Sequence, residues 1–146
     1  MMGVRVRIGG LVDAAAISEL LYEFNGEALP PDLLARRMEQ VKGLETAFLG
    51  EEGGVPAGLL ILRTAPTLST LEDWAEITEM YVRPALRRRG VGRALVERAI
   101  EHARHRGCTE VHLLTDATNL AAQSFYPACG FHLDSVEMVL EINRHK

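Results

Sequence analysis

Between strand-like residues and a long helical repeat the chain reads Met80-Tyr81-Val82-Arg83-Pro84-Ala85-Leu86-Arg87-Arg88-Arg89-Gly90-Val91-Gly92-Arg93-Ala94-Leu95. A strand ends at Val82, a loop carries three consecutive arginines, and glycines stand at the first turn of a helix. First-turn amides have no intrahelical acceptor and carry the positive end of the helix dipole. An anion is stabilised there, and a pyrophosphate spans several such amides. Glycine at 90 and 92 removes the Cβ atoms that would hold a phosphate off the backbone. The spacing is not the Gly-x-Gly-x-x-Gly of a dinucleotide fold, and the Lys-Ser/Thr of a nucleoside triphosphate loop is missing. The plainer alternative for such a stretch is a loop with a solvated run of arginine.

The elements around this cradle follow from periodicity. Val4–Ile8 alternates apolar residues with arginine, which is the pattern of a strand and not of a secretory leader. Asp13 is a suitable N-cap for a helix to about Phe24, with Ile17, Leu20, Leu21 and Phe24 at helical spacing. Pro30-Pro31 opens a second helix to about Val41. Thr46–Gly50 and Val55–Arg63 read as a hairpin closed by Gly53-Gly54. Residues 65–73 form a loop, Trp74–Val82 a strand that Pro84 ends, and Gly90 to about Arg106 a helix that Gly107 stops. Val111–Thr115, Asn119–Tyr126 and Val136–Ile142 complete the chain as strand, short helix and strand. The order predicts an α/β (α+β) domain with a mixed sheet and helices on both faces.

At 146 residues there is room for one domain with a real core, and no apolar run approaches the ~20 residues that cross a bilayer. Cys108 and Cys129 are too few for a disulfide framework and fit free thiols in a reducing cytoplasm. His102 and His105 share a helix face without a second ligand cluster, so no metal is expected. The net charge of −4 conceals an asymmetry: Arg83–Arg106 holds eight arginines against Glu97 and Glu101, and the remaining residues sum to −10. A local positive cluster on an acidic protein suits an anionic ligand at one place and a cationic one elsewhere. The overall acidity, and a cluster with no interleaved aromatics, argue against nucleic acid, and nothing points to a membrane partner.

Arg87-x-x-Gly90-x-Gly92, with the strand and proline before it, resembles the Arg/Gln-x-x-Gly-x-Gly/Ala signature of the Gcn5-related N-acetyltransferase (GNAT) family. Asn119-x-x-Ala122-x-x-Phe125-Tyr126, followed by Cys129-Gly130-Phe131, is similar to that family's second motif, in the right order and at about the right distance. The resemblance implies a single domain over 1–146, with a mostly antiparallel mixed sheet of six to seven strands and about four helices. It implies acetyl-CoA as cosubstrate and direct attack by an amine in a ternary complex. Met80, Tyr81 and Val82 would pair with the pantetheine arm like an added strand. Arg87, Arg88, Arg89, Gly90, Val91, Gly92, Arg93 and Ala94 would hold the pyrophosphate, with Asn119, Ala122 and Phe125 completing the cofactor site. Pro127 departs from the pattern and is expected to end the short helix early.

Acyl transfer to an amine requires loss of the amine proton, a polarised carbonyl and a protonated leaving thiolate. Tyr126 is the candidate acid, its other reading being a core aromatic beside Phe125. Glu76 and Glu79 lie three apart, so regular strand geometry puts them on opposite faces, Glu79 with Ile77 and Tyr81. In many family members an acid near Glu79 is the base; the other reading is an exposed strand-edge carboxylate. Asn119 fits both a bond to pantetheine and a helix N-cap. Glu27, Asp32, Glu72, Asp73, Glu76 and Glu79 border the acceptor side in the resembled fold and favour a cationic small amine or a peptide amino group. Two other readings are a non-catalytic acyl-CoA-binding regulator and a nucleic-acid module; a homodimer stays open.

Overall fold

Four antiparallel strands and one short parallel strand make the sheet of the computed structural model, which describes residues 3–143. They are β1 (Val4–Ile8), β2 (Glu45–Glu52), β3 (Val55–Ala65), β4 (Trp74–Val82) and β5 (His112–Leu113), in that spatial order. Helices α1 (Ala14–Asn25) and α2 (Pro31–Gln40) follow β1, α3 (Val91–His105) follows β4, and α4 (Leu120–Ala128) follows β5. The chain divides into two compact units, Met1–Leu113 and Leu114–Lys146.

In the first unit the sheet has a different helix layer on each face. Ile17, Leu20 and Leu34 from α1 and α2 pack with Leu49 and Leu59 of the sheet, with Ile61, Ala47 and Tyr81 beside them. Side chains one residue out of phase, such as Phe48, look the other way. There α3 covers the sheet: His102 meets the Phe48 ring edge-on at 5.4 Å and the Arg98 guanidinium lies 5.3 Å from its centroid. Gly53 and Gly54 both have positive φ, 62° and 80°, as the two-residue turn between β2 and β3 requires.

Gly50 and Gly58 face each other across β2 and β3, under the start of α3. A Cβ on Gly50 would stand 2.8 Å from Val91 Cγ1, and one on Gly58 2.8 Å from the Tyr81 carbonyl oxygen. The glycine pair is thus the seat on which the N-terminal turn of α3 rests. Gly58→Ala, pressing on backbone, is expected to cost about 1–3 kcal/mol. Thermal unfolding checks this, with a fall of roughly 2–4 °C per kcal/mol for a chain of this size; an unchanged midpoint would mean the seat yields.

β4 carries the main departure from sequence expectation. Its register against β3 runs Ile61↔Glu79, then Leu62↔Ile77 and Arg63↔Glu76, leaving Thr78 as an extra residue. This bulge shifts the alternation by one. Directly paired residues share a face, so Glu79 lies with Ile61, and Glu76 with Arg63, on the α1/α2 side. Glu76 and Glu79 therefore share a face, and Ile77 is the residue turned away.

In the second unit Asn119 caps α4, its Oδ1 accepting from the Ala122 amide at 3.0 Å. Pro127 does not stop the helix, which runs to Ala128. Proline there forfeits only its own amide bond, and the ladder resumes with Cys129 N donating to Phe125 O at 3.2 Å. Val136–Ile142 forms no strand among the described residues. Val136, Met138, Val139, Leu140 and Ile142 are all exposed, so neither alternating set gains a buried face. The sheet has five strands among the described residues, fewer than the six to seven expected.

Candidate active site

The outer edge of β4 is where the sheet opens. β5 pairs with it only at Glu76↔His112 and Ile77↔Leu113. From Thr78 to Val82 no strand pairs with that edge among the described residues, so backbone donors and acceptors face outward. Met80, Tyr81 and Val82 all lie on this open stretch. Four residue steps at ~3.3 Å make it about 13 Å long.

The open edge leads directly into the cradle. A 3-10 turn at Pro84–Leu86 follows Val82, and Arg87 Nε then reaches back to the Val82 carbonyl at 2.9 Å, fixing the loop's start. Arg88 adopts φ 65°, a left-handed conformation uncommon for a residue with a Cβ, and Gly90 adopts φ 86°. Left-handed turns of this kind aim successive amides into a shared concavity that suits an anion, and strain of this kind gathers at functional sites. The first bond of the α3 ladder runs from the Ala94 amide to the Gly90 carbonyl at 3.0 Å. Amides ahead of it, Val91 and Gly92 among them, point out of the helix end. A pyrophosphate fits this cradle, and an amide-bearing chain fits the edge beside it.

The arginine cluster is largely engaged within the chain. Arg83 bonds Glu19 and Glu23, and its Nη1 donates to the Pro56 carbonyl at 3.0 Å. Its guanidinium holds the Glu23 carboxyl below the usual range. Arg89 pairs with Glu52 at 2.5 Å, Arg104 with Glu101 at 2.8 Å, and Arg106 donates to the Gly43 carbonyl at 2.8 Å. Of the triple arginine, Arg88 alone has no side-chain partner among the described residues.

The carboxylates of β4 gather on the α1/α2 face. Asn25 Nδ2, at the end of α1, donates to Glu79 Oε1 at 2.7 Å, which orients that carboxylate across 54 residues of chain. Sequence reading misses Asn25, since its helix-end position before Gly26 suggests only a cap. Beside Glu79, Tyr81 donates from its hydroxyl to Glu23 at 3.1 Å and stacks on Phe24 at 5.4 Å. Burial, and then the Glu23 carboxylate, push the Tyr81 phenol above its usual value, so it stays a donor. Nearer the start of β4, Trp74 lies flat on His112, with ring centroids 4.0 Å apart and planes 8° apart, and Trp74 Nε1 donates to Glu76 Oε1 at 3.3 Å. Neither ring shows a signal at the sequence level, because His112 becomes Trp74's neighbour only through the β4–β5 pairing.

In the second unit Ala122, Phe125 and Tyr126 lie on α4, and Asn119 caps it. Tyr126 is 9% exposed, with the Phe125 and Phe131 rings edge-on at 5.2 and 5.6 Å. Burial pushes its phenol up to about 12. The N-cap reading of Asn119 is realised, and its Nδ2 is not part of the cap bond.

The profile of the Acetyltransferase (GNAT) family matches residues 14–131. The chain is 38% identical over 86 residues to an uncharacterized N-acetyltransferase of Methanocaldococcus jannaschii, covering 58% of this chain and 38% of that one. It is 49% identical over 61 residues to an aminoglycoside N(6')-acetyltransferase type 1 of Klebsiella aerogenes, covering 42% and 36%. The matches thus span little more than a third of either relative's length. A crystal structure described as a transcriptional regulator of Bacillus halodurans C-125 superposes with a TM-score of 0.83 at 25% identity, over 95% of this chain and 99% of that one.

Proposed function

The chain belongs to the Acetyltransferase (GNAT) family, and on that premise we propose that it transfers the acetyl group of acetyl-CoA to a primary amine of a small cationic molecule or peptide. One observation carries this reading: the open edge of β4 leads through a single 3-10 turn into the left-handed cradle at the start of α3. Backbone groups of Met80, Tyr81 and Val82 pair with the pantetheine amides. The turn at Arg88–Gly90 and the first amides of α3 hold the pyrophosphate, with Arg88, Arg93 and the flanking arginines adding charge.

Glu79 is the base of the proposed reaction. Asn25 fixes one carboxylate oxygen, and the bulge turns the group toward the face that carries Glu76. The amine gives its proton to Glu79, its nitrogen bonds the acetyl carbon, and the carbon–sulfur bond breaks. Tyr126 donates the hydrogen bond that stabilises the leaving thiolate, and the second proton that the nitrogen sheds after attack neutralises that thiolate. Its motif position beside Phe125 and its neutral phenol support that role. Clustered carboxylates favour a cationic acceptor, and the aminoglycoside acceptor in the name of the Klebsiella relative supports the same class.

Release of free CoA thiol from acetyl-CoA across an amine panel tests the proposal, with cationic amines expected to outperform neutral and acidic ones. Binding of acetyl-CoA without thiol release on any amine would move the protein to a second reading, a non-catalytic acyl-CoA-binding regulator, to which the Bacillus halodurans neighbour lends only its description as a transcriptional regulator. The Glu79→Gln variant tests the base. It should lower the rate by roughly 10²-fold while stabilisation by acetyl-CoA stays near wild type. An unaltered rate would transfer the role to Glu76 or to water.

A further inference from the structure

We propose that the Trp74–His112 stack is an acceptor-recognition site, selective for an amine carried on a saturated ring such as an amino sugar. This rests on the acetyltransferase reading for its location but not for its test. The open edge of β4 has room for about 13 Å of extended ligand between Val82 and Thr78. Beyond Thr78 the edge closes against β5, at Glu76↔His112 and Ile77↔Leu113. A thioester arm lying along the edge therefore ends where β4 and β5 meet. The next side chains on the α1/α2 face are those of Glu76 and Trp74, with His112 alongside.

The bulge at Thr78 makes this arrangement possible. In an unbroken strand Glu79 would face away from Trp74 and Glu76. With Thr78 as the extra residue, Trp74 (paired with Ala65), Glu76 (with Arg63) and Glu79 (with Ile61) share one face. The base and the stack thus look onto the same side of the sheet. Bulges near active sites re-aim side chains in this way.

The chemistry of the stack sets the ligand class. Two rings 4.0 Å apart and nearly parallel form one flat block, with His112 Nε2 held 3.1 Å from Glu110 Oε1 and Trp74 keeping 42% of its surface exposed. Glu76 is tied to the indole edge at 3.3 Å, so a carboxylate borders the block. A ligand matching both has a flat C–H face to lie on the rings and an ammonium group beside it. A ring-borne amine has both. A linear polyamine carries the charge without the face.

Trp74 is the chain's single tryptophan, so its emission reports the site directly. The intact protein would be titrated with kanamycin and, separately, with spermidine, in the absence of acetyl-CoA. A saturable change in emission is expected with kanamycin, and spermidine should bind at least about tenfold more weakly, the worth of one aromatic contact. Glu76→Gln and His112→Ala should each weaken kanamycin about tenfold while melting temperature and the acetyl-CoA-induced shift stay near wild type. Equal affinity for the two amines, or no saturable change with kanamycin to millimolar concentration, overturns the proposal. A variant affinity unchanged from wild type does the same. Failure of the acetyltransferase reading would appear elsewhere, as the loss of any stabilisation by acetyl-CoA.

Discussion

Gly92→Asp is expected to abolish the rise in melting temperature that acetyl-CoA gives the unsubstituted protein. A ligand that binds only the folded state stabilises it by about 2.7 kcal/mol at a hundredfold excess over its Kd. For a chain of this length that is a shift of roughly 5–10 °C. Gly92 sits in the first turn of α3, ahead of the first ladder bond from Ala94 to Gly90. An aspartate there would set a carboxylate against a pyrophosphate held in the proposed cradle. The same carboxylate suits a helix N-terminus, so the fold itself should gain or hold steady. Loss of the ligand shift with an undiminished ligand-free midpoint is therefore the expected pair of results. A wild-type protein that shows no shift at millimolar acetyl-CoA would remove the basis for the assignment.

The second large effect is expected at Tyr126. Tyr126→Phe keeps the ring between Phe125 and Phe131 and removes only the hydroxyl, so acetyl-CoA affinity should change little. Turnover should fall by roughly 10²–10⁴-fold if the hydroxyl serves the leaving thiolate. The elevated phenol adds a second, independent expectation. Burial opposes the charged phenolate, so Tyr126 stays protonated at every pH below about 12. A thiol titrates near ~8.5, so outright proton transfer from such a phenol is uphill. Stabilisation of the developing thiolate by a hydrogen bond is then the dominant part, which places the loss toward 10²–10³-fold. The wild-type pH–rate profile should accordingly show no falling limb from this residue up to pH ~10. An undiminished rate in Tyr126→Phe would return the residue to the core.

Much of the architecture was legible because local chemistry and global fold agree. Gly53-Gly54 between two apolar runs specified a turn, and both residues take the positive φ it needs. Pro84, the arginines and Gly90 marked a strand end and a helix start: β4 ends two residues before Pro84 and α3 begins one residue after Gly90. Asn119 identified its own cap. What stayed hidden depends on partners distant in sequence. The bulge at Thr78 cannot be seen in Glu-Ile-Thr-Glu-Met-Tyr alone, because the extra residue exists only relative to Ile61 and Leu62 on β3. For the same reason Glu76 and Glu79 were expected on opposite faces. The Asn25–Glu79 bond joins a helix end to a strand over 54 residues, and the Trp74–His112 stack needs a parallel pairing two residues long. Val136–Ile142 had the apolar content of a strand but finds no ladder among the described residues, and composition alone does not supply one.

The unpaired stretch of β4 also bears on how this protein behaves in concentrated solution. Thr78–Val82 is a row of outward-facing amides and carbonyls, ended by the Val82 carbonyl that Arg87 covers. Sheet edges of this kind are templates for any extended chain, including another copy of the same strand, and charge or coverage is the usual protection against edge-to-edge aggregation. Glu79 is the one charged residue in the row, and Met80, Tyr81 and Val82 bring no charge to the rest of it. In the proposed binding mode a pantetheine arm paired along that edge would cap it as well as present the acetyl group. With the edge bare, the ligand-free protein would be the form more exposed to edge-to-edge pairing, and bound CoA would reduce it.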